Sequence, residues 1–354
     1  MRLVIDLDDT ISVHKNRDYE RAVPIEKTIE RMKKLKADGW EIVIYSSRGQ
    51  ASCNGNLELI EARNRKTAEE WLKRNEVPYD QLVFGKPLGD LYVDDKAVSL
   101  PDFWSEEHEK LEGNSGAKIY RIGKRVIKSC ATAKEEAEWY EEAAKKGLLT
   151  PKVNSIVLNT IETEYLEGEQ GNKKELSQQD MAQIVSQIML MSLYPAEKVF
   201  DVERYADFIK GRLEIAGWEN KFDALFNFIK AHKRKIQSLS SFCHGDLSLS
   251  NVIFKDKAAY LIDPSPRREY SSFLIDFAKL RFSLNGGEQL LHGGTRPKEY
   301  DLRLSELSEI VSKRGWGKIV AAMEAVHWIR MLRYIENAED TIWKKAKELE
   351  AELW

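Results

Sequence analysis

Asp6-Leu7-Asp8-Asp9-Thr10 follows directly on the apolar run Leu3-Val4-Ile5. Asp6 and Asp8 stand two apart at a strand exit, so both can approach one metal ion. Three more apolar runs end in a comparable way. Ile42-Val43-Ile44-Tyr45 leads into Ser46, Leu82-Val83-Phe84-Gly85 into Lys86, and Leu91-Tyr92-Val93 into Asp94-Asp95. Acid, hydroxyl, cation and acid form a set suited to phosphate. Carboxylate oxygens hold Mg²⁺, Mg²⁺ and a lysine neutralise phosphoryl oxygens, and a carboxylate can attack phosphorus to give an aspartyl-phosphate. In an open α/β sheet such groups meet at the carboxyl ends of the strands. Singly, each has a plainer reading as a turn, a cap or polar surface; the ordered set is what points to a site.

A second set lies far downstream. In His244-Gly245-Asp246-Leu247-Ser248-Leu249-Ser250-Asn251, Asn251 comes five residues after Asp246. That is the spacing of the kinase catalytic loop, where the Asp orients the accepting hydroxyl and the Asn holds Mg²⁺. Val252-Ile253-Phe254 comes next, and after a turn Tyr260-Leu261-Ile262 leads to Asp263. A short hairpin would bring Asn251 and Asp263 to one end. Upstream, Val126-Ile127-Lys128 resembles the strand lysine that contacts ATP phosphates. Glu138, in the helix beyond it, is the choice for its ion-pair partner, with Glu135, Glu136 and Glu142 as rivals. Glu164-Tyr165-Leu166-Glu167-Gly168 resembles a hinge whose backbone, at Glu164 and Leu166, would bond adenine.

These residues need elements to position them. Residues 1–104 alternate short apolar strands with amphipathic helices, expected over Pro24–Lys36 and Glu58–Arg74, the first ended by Asp38-Gly39. Such alternation predicts an α/β domain with a doubly wound parallel sheet. Residues 105–116 are polar, and the domain boundary is placed there, giving domains 1–108 and 109–354. The second is expected to be α+β. It would have a hairpin over Ala117–Lys128, a helix over Lys134–Lys146 and a strand over Ile156–Leu166. Helices would dominate 175–240 and 300–354.

Composition narrows the function classes. Lys+Arg 55 against Asp+Glu 58 gives a formal charge of −3, with no electrostatic reason to expect nucleic acid or an anionic membrane as partner. No stretch approaches the ~18 consecutive apolar residues of a membrane span. The three cysteines, Cys53, Cys130 and Cys243, have neither CxxC nor zinc spacing, so a reducing, cytoplasmic setting is expected.

The first motif set resembles the haloacid dehalogenase (HAD) superfamily over about the first 104 residues. The resemblance implies Asp6 as nucleophile and Asp8 as the acid that protonates the leaving group and then activates water. Thr10, Ser46 and Lys86 would hold the phosphoryl group, with Ser47 as the register alternative to Ser46. Asp6, Asp8 (through its carbonyl) and Asp94 would bind Mg²⁺, supported by Asp95. Two gaps of 40 residues, Asp6 to Ser46 and Ser46 to Lys86, leave no room for a large cap. The wording around Ser46-Ser47-Arg48 and Phe84-Gly85-Lys86-Pro87 looks most like small capless phosphatases linked to capsular polysaccharide synthesis.

The second set resembles the aminoglycoside phosphotransferase and choline kinase family, within the protein-kinase-like fold. It implies an N-lobe over about 112–168 and a helical C-lobe over about 169–354. Asp246 would be catalytic, Asn251 and Asp263 would hold Mg²⁺, and Lys128, Glu138, Glu164 and Leu166 would serve ATP. Asp276 matches a structural acid. Together the two resemblances imply a bifunctional phosphatase–kinase for a small hydroxylated metabolite such as a sugar or polyol. The alternative is one activity regulated by a nucleotide- or metabolite-sensing kinase-like domain.

Overall fold

The computed structural model describes residues 1–89, 98, 103, 108–111, 117–157, 159–265, 270–335 and 338–354. The chain divides into two compact units, Met1–Cys130 and Ala131–Trp354.

In the first unit, strands β1 (Arg2–Ile5), β2 (Glu41–Ser46) and β3 (Gln81–Phe84) form a parallel sheet in that order. Parallel neighbours need a crossover, and helices α1 (Glu26–Ala37) and α2 (Leu57–Arg74) supply the two connections. The central strand β2 buries Ile42, Val43 and Ile44, as expected of a parallel strand covered on both faces. α2 starts where the Asn56 side chain accepts from the Leu59 amide at 3.1 Å, a cap that satisfies one otherwise unpaired donor. The core joins Ile5, Ile29, Met32, Ile44, Trp71 and Phe84. The fourth apolar run, Leu91-Tyr92-Val93, lies outside the described residues, as do Asp94, Asp95 and Gly113–Gly116.

Antiparallel strands β4 (His108–Leu111), β5 (Lys118–Ile122) and β6 (Arg125–Ser129) complete this unit. The division between units therefore falls after the 118–129 hairpin, whereas the sequence places it before. The reason is local. The Tyr120 hydroxyl donates to the Asp38 carbonyl at 3.2 Å, and its ring meets Trp40 edge-on at 5.1 Å.

The second unit opens with α3 (Ala133–Lys145) and the hairpin β7 (Val153–Val157) and β8 (Thr160–Glu164). The single strand expected over Ile156–Leu166 is thus two strands. Helices α4 (Gln178–Met191), α5 (Val202–Leu213) and α6 (Asp223–Ala231) come after it. Ser177 and Asp180 form a reciprocal capping box at the start of α4. The hairpin β9 (Val252–Lys255) and β10 (Ala258–Leu261) comes next, then α7 (Phe273–Phe282), α8 (Glu299–Lys313), α9 (Gly317–Arg330) and α10 (Glu339–Ala351). α7 is buried along its whole length, and α9 from Ile319 to Ile329. Helices buried all round carry no amphipathic stripe and form the centre of the unit. Among the described residues no helix is long and apolar enough to cross a membrane.

Candidate active sites

Asp6 and Asp8 leave the end of β1 in a tight loop. The Ile11 and Ser12 amides both donate to the Leu7 carbonyl at 3.0 Å, and Asp9 takes a left-handed φ of 60°. Sheet register brings the partners. Ser46 ends β2 opposite Phe84 of β3, and the Lys86 amide donates to the Ser46 carbonyl at 3.2 Å. The Lys86 ammonium reaches Asp6 Oδ2 at 3.2 Å. Asp6 Oδ1 is buried and, among the described residues, has no hydrogen-bond partner. Burial pushes the Asp6 carboxyl above its ordinary value, while Lys86 pulls it down.

Asp8 is held by a residue to which the sequence assigned no role. Arg48 donates through Nη2 to Oδ1 at 2.6 Å and through Nε to Oδ2 at 3.1 Å. This two-bond fork fixes the carboxylate in plane. The Arg48 side chain is only 1% exposed, and its far face lies on the Tyr19 ring at 3.9 Å. His14 Nε2 stands 3.9 Å from Asp8. Ser46 is fully buried, and its hydroxyl accepts from the Arg48 amide at 3.1 Å, which leaves its O–H free to donate. Ser47, the register alternative, is partly exposed, as is Thr10.

An orphaned carboxylate oxygen beside a second acid suits a hard, oxygen-seeking cation. Among the described residues, however, no three His, Cys, Asp or Glu side chains converge on a metal position, and the expected Asp94 and Asp95 lie outside them.

The second cluster is built on the loop 244–251. Asp276 of α7, fully buried, accepts from the His244 amide at 2.9 Å and the Gly245 amide at 2.7 Å. Gly245 has φ +78°, and an added Cβ would meet Ser265 Cβ at 3.1 Å, so glycine is required there. The Asp246 amide donates to His244 Nδ1 at 3.3 Å; with Nδ1 accepting, Nε2 carries the proton and donates to the Ile262 carbonyl at 2.8 Å. Trp139 of α3 donates to the Cys243 carbonyl at 2.8 Å. Ser248 and Ser250 bond each other at 2.9 Å, and Ser250 reaches Glu288, so both hold the loop's shape.

The loop presents three groups together. Asn251 Nδ2 donates to the Asp246 carbonyl at 2.8 Å, which leaves its amide oxygen as a ligand atom. The Ile262 amide donates to the Asn251 carbonyl at 3.0 Å, so Asp263 comes immediately beside it. Asp263 takes a left-handed φ of 58°, a strained conformation for a residue with a side chain. Its amide donates to the Tyr140 hydroxyl at 2.9 Å. Asn251 and Asp263 are thus oxygen donors at one hairpin end, a set that fits Mg²⁺.

Asp246 itself is 40% exposed, and Lys279 Nζ sits 3.0 Å from its Oδ1. Burial favours the neutral acid, but Lys279 and then Arg330 outweigh it and hold Asp246 at about 2. Asp276 moves the opposite way: burial pushes it up to about 7 against the pull of its two amide donors. Lys279 and Asp276 are three apart on one face of α7, and that spacing was the sequence signal for a role of Lys279 that motif reading missed.

Glu138, expected as the partner of Lys128, stands on the outer half of α3. Its side chain is 51% exposed and lies 4.0 Å from Lys134 one helical turn away. The inward acid of α3 is Glu136, 4% exposed, which accepts from the Tyr140 hydroxyl at 3.3 Å. That hydroxyl also receives the Asp263 amide. Lys128 is buried on β6 of the first unit. Glu164 ends β8, and its side chain accepts from the Lys152 amide at 3.0 Å; Leu166 is buried. A cavity of about 520 Å³ elsewhere in the second unit is lined by Arg281, Ser305, Ser308, Lys318 and Glu348, and by no loop residue.

No protein-family model and no curated protein matches the chain. Solved structures do. A structural-genomics target from Vibrio cholerae is 34% identical over 29% of this chain and 87% of its own, with a TM-score of 0.29. A choline/ethanolamine kinase family protein from Mesorhizobium loti is 17% identical over 68% of this chain and 87% of its own, with a TM-score of 0.47. The choline kinase LicA from Streptococcus pneumoniae is 16% identical over 69% of this chain and 93% of its own, with a TM-score of 0.44.

Proposed function

We propose that the second unit houses an ATP-dependent kinase centre for the hydroxyl of a small metabolite. The observation that carries this reading is the shared corner of Asp246, Asn251 and Asp263, with the loop clamped by Asp276. Asp246, kept ionised by Lys279, accepts a hydrogen bond from the acceptor hydroxyl, aims it, and takes its proton as the new P–O bond forms. The Asn251 amide oxygen and the Asp263 carboxylate would hold Mg²⁺, which when bound supplies charge neutralisation for the phosphoryl oxygens.

We propose further that the first unit is a HAD-like phosphomonoesterase centre. Support comes from Asp6, whose Oδ1 is unencumbered and whose Oδ2 is anchored by Lys86. Asp6 attacks phosphorus, and Asp8, aligned by Arg48, exchanges the proton with the leaving group and then with water. Asp94 and Asp95 complete this proposal from sequence position. A kinase and a phosphatase on one phosphate would cancel, so the two centres act on different positions or different molecules.

The test takes the full-length Asp6→Asn protein with Mg²⁺ and ATP against a pool of sugars, sugar phosphates and polyols. Mass spectrometry is expected to find a compound that gains one phosphoryl group, absent with Asp246→Asn. Silence across a broad pool, with wild type still hydrolysing phosphate esters, would replace the kinase reading with a nucleotide-sensing one.

A further inference from the structure

The surroundings of Asp246 carry information about the acceptor. Two basic side chains bear on this carboxylate. Lys279 is committed to it, 3.0 Å away and 7% exposed. Arg330, the last residue of α9, is placed differently. Its Nη1 bonds His327 Nδ1 at 3.2 Å, and His327 is fully buried. Burial and the neighbouring Arg330 and Lys279 charges drive His327 well below its ordinary value, so it is neutral and returns no charge. Arg330 Nε meets no acceptor. Among the described residues no carboxylate lies within ion-pair distance of its guanidinium, which is partly exposed. Along the adjoining α5, the cap Asp201 accepts from the Arg204 amide at 3.0 Å, Glu203 pairs with Lys233, and Asp207 is exposed.

An aromatic surface adjoins this cation. Arg330 lies 5.9 Å from the Phe208 ring centre. Tyr205, one turn earlier on α5, stacks edge-on to Tyr270 at 5.3 Å. The Tyr205 hydroxyl is buried and has no hydrogen-bond partner, and the Arg330 charge acts on it. Among the described residues neither donor has an acceptor, in a place where buried donors are normally satisfied. An anionic group at the exposed side of the guanidinium would balance its charge. A cationic acceptor would instead face a guanidinium that has no carboxylate within ion-pair distance among the described residues, and Asp246 is already paired with Lys279.

Resting on the kinase reading, we propose that the acceptor is a hydroxylated anion, a sugar or polyol that already bears a phosphate or carboxylate. Arg330 receives the anionic group, the rings of Phe208 and Tyr270 flank the carbon skeleton, and Asp246 takes the free hydroxyl. The phosphoryl transfer is balanced: the acceptor oxygen bonds the γ-phosphorus, the bond to ADP breaks, and the hydroxyl proton passes to Asp246.

The test uses the full-length Asp6→Asn chain and matched probes: glucose with glucose 6-phosphate, glycerol with glycerol 3-phosphate, and glucosamine as the cation. Binding is measured by calorimetry with a non-hydrolysable ATP analogue and Mg²⁺, and turnover separately with ATP. The phosphorylated members are expected to bind at least 10-fold more tightly than their neutral parents, and glucosamine most weakly. Arg330→Gln should weaken the phosphorylated members at least 10-fold and leave glucose and glycerol within 3-fold. Tyr205→Phe, which removes one oxygen, should weaken the same members several-fold. Neutral or cationic probes binding as well as anionic ones, no binding of either phosphorylated probe, or an equal loss for all probes in Arg330→Gln would overturn the proposal. Arg330-dependent anion binding without phosphoryl transfer to any probe would leave the anion site standing and remove the kinase reading instead.

Discussion

In the first unit, Asp6 and Asp8 hang from the end of one strand, and their cations come from the two strands beyond it: Arg48 after β2 and Lys86 after β3. In the second, Asp246 sits on a loop, and both groups that govern it, Asp276 and Lys279, come from a single turn of one buried helix. The parallel sheet assembles its cluster by register. Each strand contributes its groups at its carboxyl end, and steps of 40 residues are bridged because neighbouring strands end at the same level. The helical unit works by clamping. One buried carboxylate, Asp276, grips two backbone amides, and Lys279, one turn further along the same helix, sets the charge of the reactive acid. The first arrangement ties each acid separately to its own cation. The second makes loop shape and acid ionisation depend on the same helix.

The comparison is broken most sharply by disabling each centre alone. Asp246→Asn should lower phosphoryl transfer from ATP by about 10²–10⁴-fold and leave phosphate-ester hydrolysis intact, and Asp6→Asn should do the converse. Parallel assays of both activities on both variants decide it; loss of both from either change would mean that the centres are coupled.

Removing the clamp comes next. Asp276→Ala leaves two amides without acceptors and should destabilise the second unit by about 2–4 kcal/mol in urea unfolding. The strand-end cluster offers no such lever. There, Arg48→Lys should fold normally and lower hydrolytic kcat by roughly 10-fold, because an ammonium cannot reproduce the two-bond fork that aligns Asp8.

Ionisation supplies a subtler contrast. Lys279 is one of the charges that keep Asp246 at about 2. In Lys279→Met the burial penalty is no longer fully opposed, so the Asp246 pKa must rise. The acid limb of the kinase pH–rate profile is then expected to move upward relative to wild type. The stability contributed by the ionised Asp246 is present above its unfolded value of 3.8 and is lost only as pH falls toward about 2. The smallest effect concerns α3: Glu138→Ala should change stability by less than about 0.5 kcal/mol, whereas Glu136→Ala, which removes the acceptor of the buried Tyr140 hydroxyl, should cost more. Thermal unfolding of the pair checks this.

Much of the positioning was legible in the chain. The runs ending at Asp6, Ser46 and Lys86 announce parallel strands, and the five-residue step from Asp246 to Asn251 followed by a hairpin to Asp263 announces a shared corner. Helix boundaries fell within two residues for α1 and α2 because caps and apolar spacing are local signals. Facing is what the chain alone does not show. Periodicity over a helix rich in Glu does not say which acid turns inward, and α3 buries Glu136 and exposes Glu138. A serine at a strand end does not reveal that its hydroxyl also accepts from the next turn, as Ser46 does from the Arg48 amide.

The sequence by itself determined which residue types stand at strand ends and in the loop, and the order in which they occur, because strand, turn and cap preferences act over a few residues. Only the tertiary structure decided that Arg48 forks onto Asp8, that Lys279 and Asp276 share the task of holding the loop, and that Arg330 lies beside the aromatic face of α5. Those outcomes depend on charge pairs between groups tens of residues apart. Their strength is fixed by burial and distance, quantities that exist only once the chain has packed.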